Sequence, residues 1–389
     1  MDFTLTEDQT MMRDSAIRMV ANDIDPVMKA HDSKAPLPKE AMLSIYASLA
    51  NLGITAPRLP LEAGGGLKML DYGLMFEQLP PVVAISLLAH ECTIARIFAE
   101  STEAQRERIL PDLISGKKIC CTGTTEPTAG SDPRAVRTTV KADTDGWIIN
   151  GSKMWITNAS ICDTINVTCR DISDPKGPMR RVVAERSVSP FTSQNTESLG
   201  LQQGHLGELF FDNCKVPLDN ALGESGDAAR ILTLTWNGNR PLVGLAAVHL
   251  AQKSLDAALE YAKNRKQFGK VIAGHQLIQA NLADIEMYIV TARMTCYAAL
   301  AAIDSGERAN GLCALAKRYA TTVCEKAVSL ALHVHGAMGI SEELGLERLF
   351  RDVRMLPIPD AANNILTLIQ GRELTGISTF RDTLQDSGR

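Results

Sequence analysis

The sequence predicts an α+β multidomain chain: a helical N-terminal domain, a middle antiparallel β-barrel or sandwich, and a C-terminal four-helix bundle. Three observations predict it. Apolar residues recur at three- and four-residue steps in long segments toward both ends of the chain. Between them, short alternating segments are separated by turn residues at fairly regular intervals. At 389 residues the chain is long for one core and comfortable for two or three. The changes of pattern set expected domain boundaries at 1–117, 118–222 and 223–389.

The first domain opens with a helix cap at Thr6, and Met11, Ile17, Val20 and Ile24 follow at roughly helical spacing. Pro26, Pro36, Pro38 and Pro60 punctuate it. Gly64-Gly65-Gly66 is a loop with no strand before it, so a dinucleotide fingerprint is not supported. An apolar helix over 82–98 is interrupted by His90-Glu91. A carboxylate in such a run is expensive if buried and unpaired, so Glu91 is expected to face solvent or to pair with Arg96 or a neighbouring histidine.

Strands are predicted over 138–143, 146–150, 164–168, 182–184 and 208–212. A hairpin turn at Asn150-Gly151 is expected to lead into a further strand carrying Trp155 and Thr157. Asn213 to Pro217 reads as the exit from this domain. After Gly226 the chain returns to helices over 240–264, 277–305 and 366–376, with Asn239-Arg240-Pro241 opening the first. Leu312, Leu315, Tyr319, Val323, Ala327, Leu330 and Val334 hold one stripe over about six turns. Packed antiparallel, these helices make the bundle.

Composition excludes several functions. Hydrophobic residues at 45% and charged residues at 22% are ordinary for a globular protein. A formal charge of −5, with no lysine- or arginine-rich face, argues against nucleic-acid binding. The longest uninterrupted apolar stretch, 81–89, falls short of the roughly 20 residues that span a bilayer, so no membrane segment is expected. Met1-Asp-Phe-Thr-Leu-Thr-Glu-Asp-Gln9 is acidic and lacks the basic region of a signal peptide, which points to a cytoplasmic location. Nine cysteines show no C-x-x-C pair and no histidine at ligand spacing, so neither a disulfide framework nor a metal site is expected.

Two segments of the middle domain carry the functional signal. Thr124-Thr-Glu-Pro-Thr-Ala-Gly-Ser-Asp132 concentrates turn residues and side-chain oxygens in one tight loop able to grip a polar ligand. Lys153-Met-Trp-Ile-Thr-Asn158 follows just after Gly146-Trp-Ile-Ile-Asn-Gly-Ser152. In this order the pair resembles the flavin-binding middle domain of the acyl-CoA dehydrogenase family, and the helical, β, helical plan is similar to that family over essentially the whole chain.

Removing hydrogens from the α and β carbons of an acyl thioester needs a base, a group that stabilises enolate-like charge, and a hydride acceptor. Side chains cannot accept hydride, so the last must be a cofactor such as flavin. The resemblance implies FAD, with Thr122, Thr124 and Thr125 contacting the isoalloxazine ring, Trp155 packing on it, Thr157 bonding nearby, and Ser131 at its thioester end. Arg265-Lys-Gln-Phe-Gly269 resembles the family's R-x-x-F-G, in which the arginine meets the pyrophosphate and Phe268 packs beside it, commonly from a neighbouring subunit. Gln276 is implied as a second contact. His333, Gly336 and Ala337 take the place of a glutamine and paired glycines at the adenosine half, and Ala362 and Asn364 are implied to face the cofactor too.

For the substrate, the resemblance implies CoA contacts from Arg240 and Asn237, Ser131 at the thioester, and Glu91 in the acyl-pocket wall. Some members carry their base just before the matching arginine; Asn239 stands there and cannot serve. Others carry it in I-x-E-G-T-x-x-I. The matching segment, Pro359-Asp-Ala-Ala-Asn-Asn-Ile365, keeps a carboxylate at Asp360 but shortens it by one methylene. A branched or alicyclic acyl-CoA would fill the freed space; an enoyl-CoA reductase or oxidase on the same fold, or a non-catalytic acyl-CoA- or FAD-binding paralogue, are the alternatives. The family also implies reoxidation by an electron-transfer flavoprotein and a homotetrameric assembly.

Overall fold

The computed structural model describes residues 4–224, 226, 228–377 and 379, with the backbone alone over 228–234. Met1–Phe3 of the acidic N-terminus and 380–389 of the expected third domain lie outside the described residues. The chain divides into two compact units, Met1–Tyr72 with Val82–Ser198 and Gln202–Trp236, and Gly73–Pro81 with Leu199–Leu201 and Asn237–Arg389.

Helices come first: α1 (Glu7–Met19), α2 (Asp25–Lys29), α3 (Lys39–Asn51), α4 (Met69–Phe76), α5 (Pro81–Glu100) and α6 (Glu103–Ile114). The Thr6 cap forms, as a capping box with Gln9. Of the expected apolar set only Ile24 is fully buried: Met11 and Ile17 are 62% and 45% exposed, Val20 is half-buried, and Ala16 and Met19 take the inward positions of α1. A π turn over Val20–Ile24 adds a residue to one turn, and the buried face changes phase there. Helix α5 is longer than its apolar run; by length and composition it could cross a membrane, but 72% of its apolar window is buried.

The middle of the chain forms strands β1 (Cys120–Gly123), β2 (Thr139–Asp143), β3 (Gly146–Thr157), β4 (Thr164–Asp171), β5 (Met179–Glu185), β6 (Thr192–Asn195), β7 (Leu206–Pro217) and β8 (Ala221–Leu222). They make one sheet in the order β6-β7-β3-β2-β4-β5-β8, with β1 also on β4. The sheet is neither a closed barrel nor wholly antiparallel. Strand β2 is antiparallel to β3 yet parallel to β4, because it lies between two strands that run in opposite directions. One face buries Ile149, Ile165, Val167, Cys169, Leu209, Phe211 and Val216.

Asn150-Gly151 is not a turn. The chain runs straight through it in β3, and the hairpin closes at Asp143–Gly146 instead. Asn150 reaches across to β7, where its Oδ1 accepts the Asn213 amide at 2.8 Å, and the register shifts between Ile149 and Gly151. Gly151 takes φ +140°, and a Cβ there would come within 2.7 Å of Thr138 Oγ1. The glycine therefore serves a bulge. A second register shift, between Lys153 and Ile156, coincides with φ +60° at Trp155.

Between these bulges lies Lys153, fully buried. Its Nζ donates to Glu126 Oε1 at 2.7 Å, to Thr168 O at 2.6 Å and to Thr124 O at 3.3 Å. Glu126 also accepts the backbone amides of Arg137 and Thr138. Burial alone would raise its carboxyl, but the bonds from Lys153, Thr138 and Arg137 hold it below the usual range.

The second unit contains α7 (Ala228–Asn264, from Asn237), α8 (Gln276–Asp304), α9 (Asn310–His335), α10 (Leu346–Met355) and α11 (Asn363–Thr375), with a small hairpin of β9 (Lys266–Gln267) and β10 (Lys270–Val271). Helix α7 does not begin at Asn239. It passes through Pro241, which forfeits one helical bond, and the buried run Leu242, Val243, Leu245, Ala246 and Ala247 carries it on. On α9 the expected stripe is buried at Val323, Ala327 and Val334 but not at its leucines; the rest of the inward face includes Cys313, Ala314, Ala316, Lys317, Ala320, Cys324, Val328 and Ala331. Small residues win because the neighbours come close: a Cβ on Gly244 would meet Cys296 Sγ at 2.6 Å and Ala320 Cβ at 3.2 Å. Leu312, Leu315 and Leu330 are only partly buried, and Tyr319 is exposed.

The segment 73–81 is held in this unit by Glu77, which accepts from Arg293 Nε at 2.7 Å and from the Tyr297 hydroxyl. Breaking a buried ion pair from one side is expected to matter most at Lys153. Lys153→Met should lower the unfolding free energy by about 3–5 kcal/mol, because Glu126 is left buried without its cation. Urea denaturation of Lys153→Met, Glu126→Gln and the double variant checks this; strict additivity of the two single effects would rule out their coupling.

Candidate active site

In the first unit the Thr124–Asp132 loop is closed by Glu126 and Ala129, which exchange backbone hydrogen bonds at 2.9 and 3.1 Å around Pro127-Thr128. Met154 N donates to Thr125 O at 2.9 Å, which ties the loop to β3. The ion pair of Lys153 and Glu126 thus joins the two motif segments. Thr124 bonds to Thr168 through their hydroxyls at 3.1 Å, and Thr122 to Thr93 at 2.8 Å. Thr122, Thr124, Thr125 and Thr157 are half-buried, Ser131 is exposed, and open space surrounds Gly130.

Trp155 is 51% exposed. Half an indole in water, on a residue forced to positive φ, suits a planar partner on that face. Asn158 closes the motif from inside: its Oδ1 accepts Ser86 Oγ at 2.6 Å and its Nδ2 donates to Ser86 O at 3.0 Å, which fixes the end of β3 to α5. Glu91 is fully buried rather than facing solvent, and Arg58 Nη2 reaches it at 2.5 Å. Arg96 donates to Thr235 Oγ1 at 2.8 Å.

In the second unit Asp360 stands in a turn before α11. Asp360 and Ala361 take φ +52° and +78°, consecutive left-handed residues that each cost roughly 1–2 kcal/mol without glycine. Asn239 Nδ2 lies 3.5 Å from Asp360 Oδ1. Arg240, on the same turn of α7, is buried and donates through Nη1 to Asn237 Oδ1 at 3.0 Å and Asn310 Oδ1 at 3.1 Å. Its Nε has no hydrogen-bond partner among the described residues. Burial pushes its guanidinium below the usual arginine value, against the pull of Asp360.

Lys317 completes this group from α9, donating to Ala361 O at 2.6 Å and Pro357 O at 3.2 Å. Burial lowers it to about 7, although Asp360 acts in the other direction. Asp360, Asn239, Arg240 and Asn237 are therefore brought together. Lys317 and Asn310 join them without any local sequence signal, since a lysine followed by Arg318 reads as a surface position. Ala362 caps α11 half-buried, and Asn364 is exposed beside it.

Arg265, Phe268 and Gln276 are exposed on and after the β9–β10 hairpin. Phe268 and Gly269 both take positive φ, a tight two-residue turn that leaves the phenyl ring 94% exposed. Elsewhere in the unit a cavity of about 750 Å³ is lined by His333, Gly336, Asn281, Ser329, Glu347 and Arg351. Glu347 Oε2 is buried there with no hydrogen-bond partner among the described residues, an acceptor suited to a hydroxyl-bearing ligand. Ala337 is exposed in the turn that follows α9. In the first unit the exposed indole of Trp155 suits a planar ring system. In the second, the exposed Arg265 guanidinium suits phosphate oxygens and Glu347 Oε2 a hydroxyl, so each unit separately offers chemistry found in a flavin dinucleotide.

Comparison with known proteins bears on the same point. Residues 6–117, 121–214 and 229–375 match the family models for the N-terminal, middle and C-terminal domains of acyl-CoA dehydrogenase. A probable acyl-CoA dehydrogenase, FadE25, of Mycobacterium tuberculosis is 32% identical over 382 residues, which cover 96% of each chain. The structure of butyryl-CoA dehydrogenase from Megasphaera elsdenii superposes with a TM-score of 0.89 at 32% identity, covering 96% of this chain and 100% of that one. PigA solved with FAD and proline gives 0.87 at 26% identity, covering 96% and 99%. With all three family domains in order along its length, the chain belongs to the acyl-CoA dehydrogenase family, flavin-dependent oxidoreductases that use FAD and act on CH–CH bonds.

Proposed function

We propose that the protein dehydrogenates an acyl-CoA thioester at its α and β carbons to the trans-2-enoyl-CoA, with Asp360 as the base. The observation that carries this reading is the grouping around Asp360: a carboxylate flanked by a neutral amide donor, Asn239, and by the two buried cationic side chains Arg240 and Lys317. Asp360 accepts the α-proton on a carboxylate oxygen. FAD, when bound, supplies the acceptor for the β-hydrogen and its electron pair. Arg240 and Asn237 offer donors and acceptors for the CoA portion, and Ser131 an exposed hydroxyl for the thioester end. The Asp360 backbone amide is the protein donor that polarises the thioester carbonyl.

The family resemblance implies which side chains hold the cofactor. Thr122, Thr124, Thr125, Ser131, Trp155 and Thr157 serve the ring. Arg265, Phe268 and Gln276 serve the pyrophosphate end, and His333, Gly336, Ala337, Ala362 and Asn364 the rest. Arg265 presents a guanidinium fork that suits paired phosphate oxygens. The family resemblance carries reoxidation by an electron-transfer flavoprotein and a homotetramer as accompanying expectations. Glu91, held by Arg58, would set polarity behind the acyl group rather than move a proton.

A shortened base favours a substrate that comes closer. An acyl group branched or alicyclic at the α-carbon fills the space of the absent methylene and brings its proton to Asp360. Misplacement by 1 Å can cost on the order of a hundredfold in rate, so the fit decides substrate choice. Anaerobic titration of the purified yellow protein with straight, branched and alicyclic acyl-CoAs tests this. Bleaching by the branched or alicyclic class, lost in Asp360→Asn by at least about a hundredfold, is expected. Asp360→Glu should move the preference toward straight chains. Retained bleaching in Asp360→Asn would remove Asp360 from the mechanism, and reoxidation of the reduced protein by enoyl-CoAs with no bleaching by any saturated thioester would turn the assignment to a reductase.

A further inference from the structure

Lys317 is fully buried on the alanine- and cysteine-lined face of α9, where an amine is unfavourable unless its donors are used. Two of them go to one turn. Ala361 O and Pro357 O lie on either side of Asp360 in sequence, and Lys317 Nζ holds both. Within that turn, Asp360 and Ala361 are consecutive left-handed residues without glycine. The local backbone offers the turn little else: the Asn363 amide donates to Pro357 O at 3.2 Å and the Ile358 amide to Met355 O at 3.2 Å.

We propose that Lys317 is a positioning residue for Asp360: by holding the carbonyls before and after it, Lys317 keeps two L-residues in a left-handed turn and so aims the shortened carboxylate. This rests on the reading of Asp360 as the base. The link between Lys317 and the reaction runs through backbone geometry, because the amine bonds to peptide oxygens that direct the Cα–Cβ vector of Asp360. A flexible turn would let a short side chain sweep through positions that a longer one could correct. Asp at the base position therefore makes the clamp matter more.

The charged groups facing Lys317 are Asp360 from the turn and Arg240 from α7; Arg372 of α11, which itself bonds Glu373, acts on Arg240. Burial lowers the Lys317 ammonium to about 7 from an ordinary 10.5, Asp360 opposes the shift and Arg240 adds to it. Between those values the unfolded chain binds the proton more tightly than the folded one. Stability contributed at this position therefore rises with pH from about 7 to 10.5 and is flat below.

The test uses the FAD-loaded enzyme as wild type, Lys317→Met, Lys317→Met with Ala361→Gly, and Asp360→Asn. Lys317→Met is expected to keep FAD and to bind acyl-CoA within about threefold of wild type, while the rate of flavin bleaching falls on the order of a hundredfold. Adding Ala361→Gly should restore at least about tenfold, because glycine takes the left-handed conformation without steric cost. The stability difference between wild type and Lys317→Met should grow with pH above neutrality. A bleaching rate in Lys317→Met within about threefold of wild type, with Asp360→Asn inactive, overturns the role of Lys317 and leaves the base intact. Failure of glycine to restore rate overturns the turn-holding mechanism, whereas an active Asp360→Asn overturns the base itself. If Lys317→Met does not hold FAD, Lys317→Gln, which retains a donor for one carbonyl, decides by the same rate criterion.

Discussion

The buried ion pair of Lys153 and Glu126 is the constraint on which the placement of the Thr124–Asp132 loop against β3 depends. It lies where two bulged stretches of β3, the Thr124–Asp132 loop and β4 converge, and each of its polar atoms answers one of them. Desolvating two charges is costly, and an isolated pair of this kind would be a weak source of stability. Here the Glu126 carboxylate takes two backbone amides and Lys153 takes two carbonyls in addition to their mutual contact. The pair therefore specifies position more than it adds stability. It holds the loop against the strand and lets Trp155 stand outward on a positive-φ residue.

The same logic recurs in the second unit with different parts. Lys317 is buried among alanines and cysteines, and its donors are directed at a turn whose backbone would otherwise relax. In both places a lysine that looks like a surface residue is drawn inward by peptide carbonyls. The result in each case is a positive-φ backbone, at Trp155 in one unit and at Asp360 and Ala361 in the other. Strain of this sort persists only where surrounding bonds over-determine it.

Around Asp360 the electrostatics are lopsided toward positive charge. Arg240 is buried with amide oxygens rather than a carboxylate as its described partners, and Lys317 has carbonyls. Both are pushed toward deprotonation by burial, and Asp360 is the anion that counters them. Such an arrangement sets the carboxylate between two buried basic side chains and an amide donor, Asn239.

The order of helices, strands and helices was legible in the sequence, because side-chain periodicity is a local property that survives whatever packs against it. So were the two middle-domain motifs, since composition and spacing are read directly, whereas Asp360 as base was an expectation of the family resemblance. What packing decided is different in kind. Asn150-Gly151 is a bulge rather than a turn because Asn150 bonds to Asn213, sixty-three residues away. The leucines of α9 stay only partly buried while alanines turn inward because Gly244 of α7 comes close to Ala320 and Ala316, leaving no room for larger groups. The sheet is mixed and open because β2 lies between strands of opposite direction. Lys153, Glu126, Asn158 and Lys317 acquire their importance only from carbonyls and amides that distant segments bring to them. A hydrogen-bond partner far along the chain leaves no trace in the pattern of residues beside it, and for these positions tertiary structure alone made the choice.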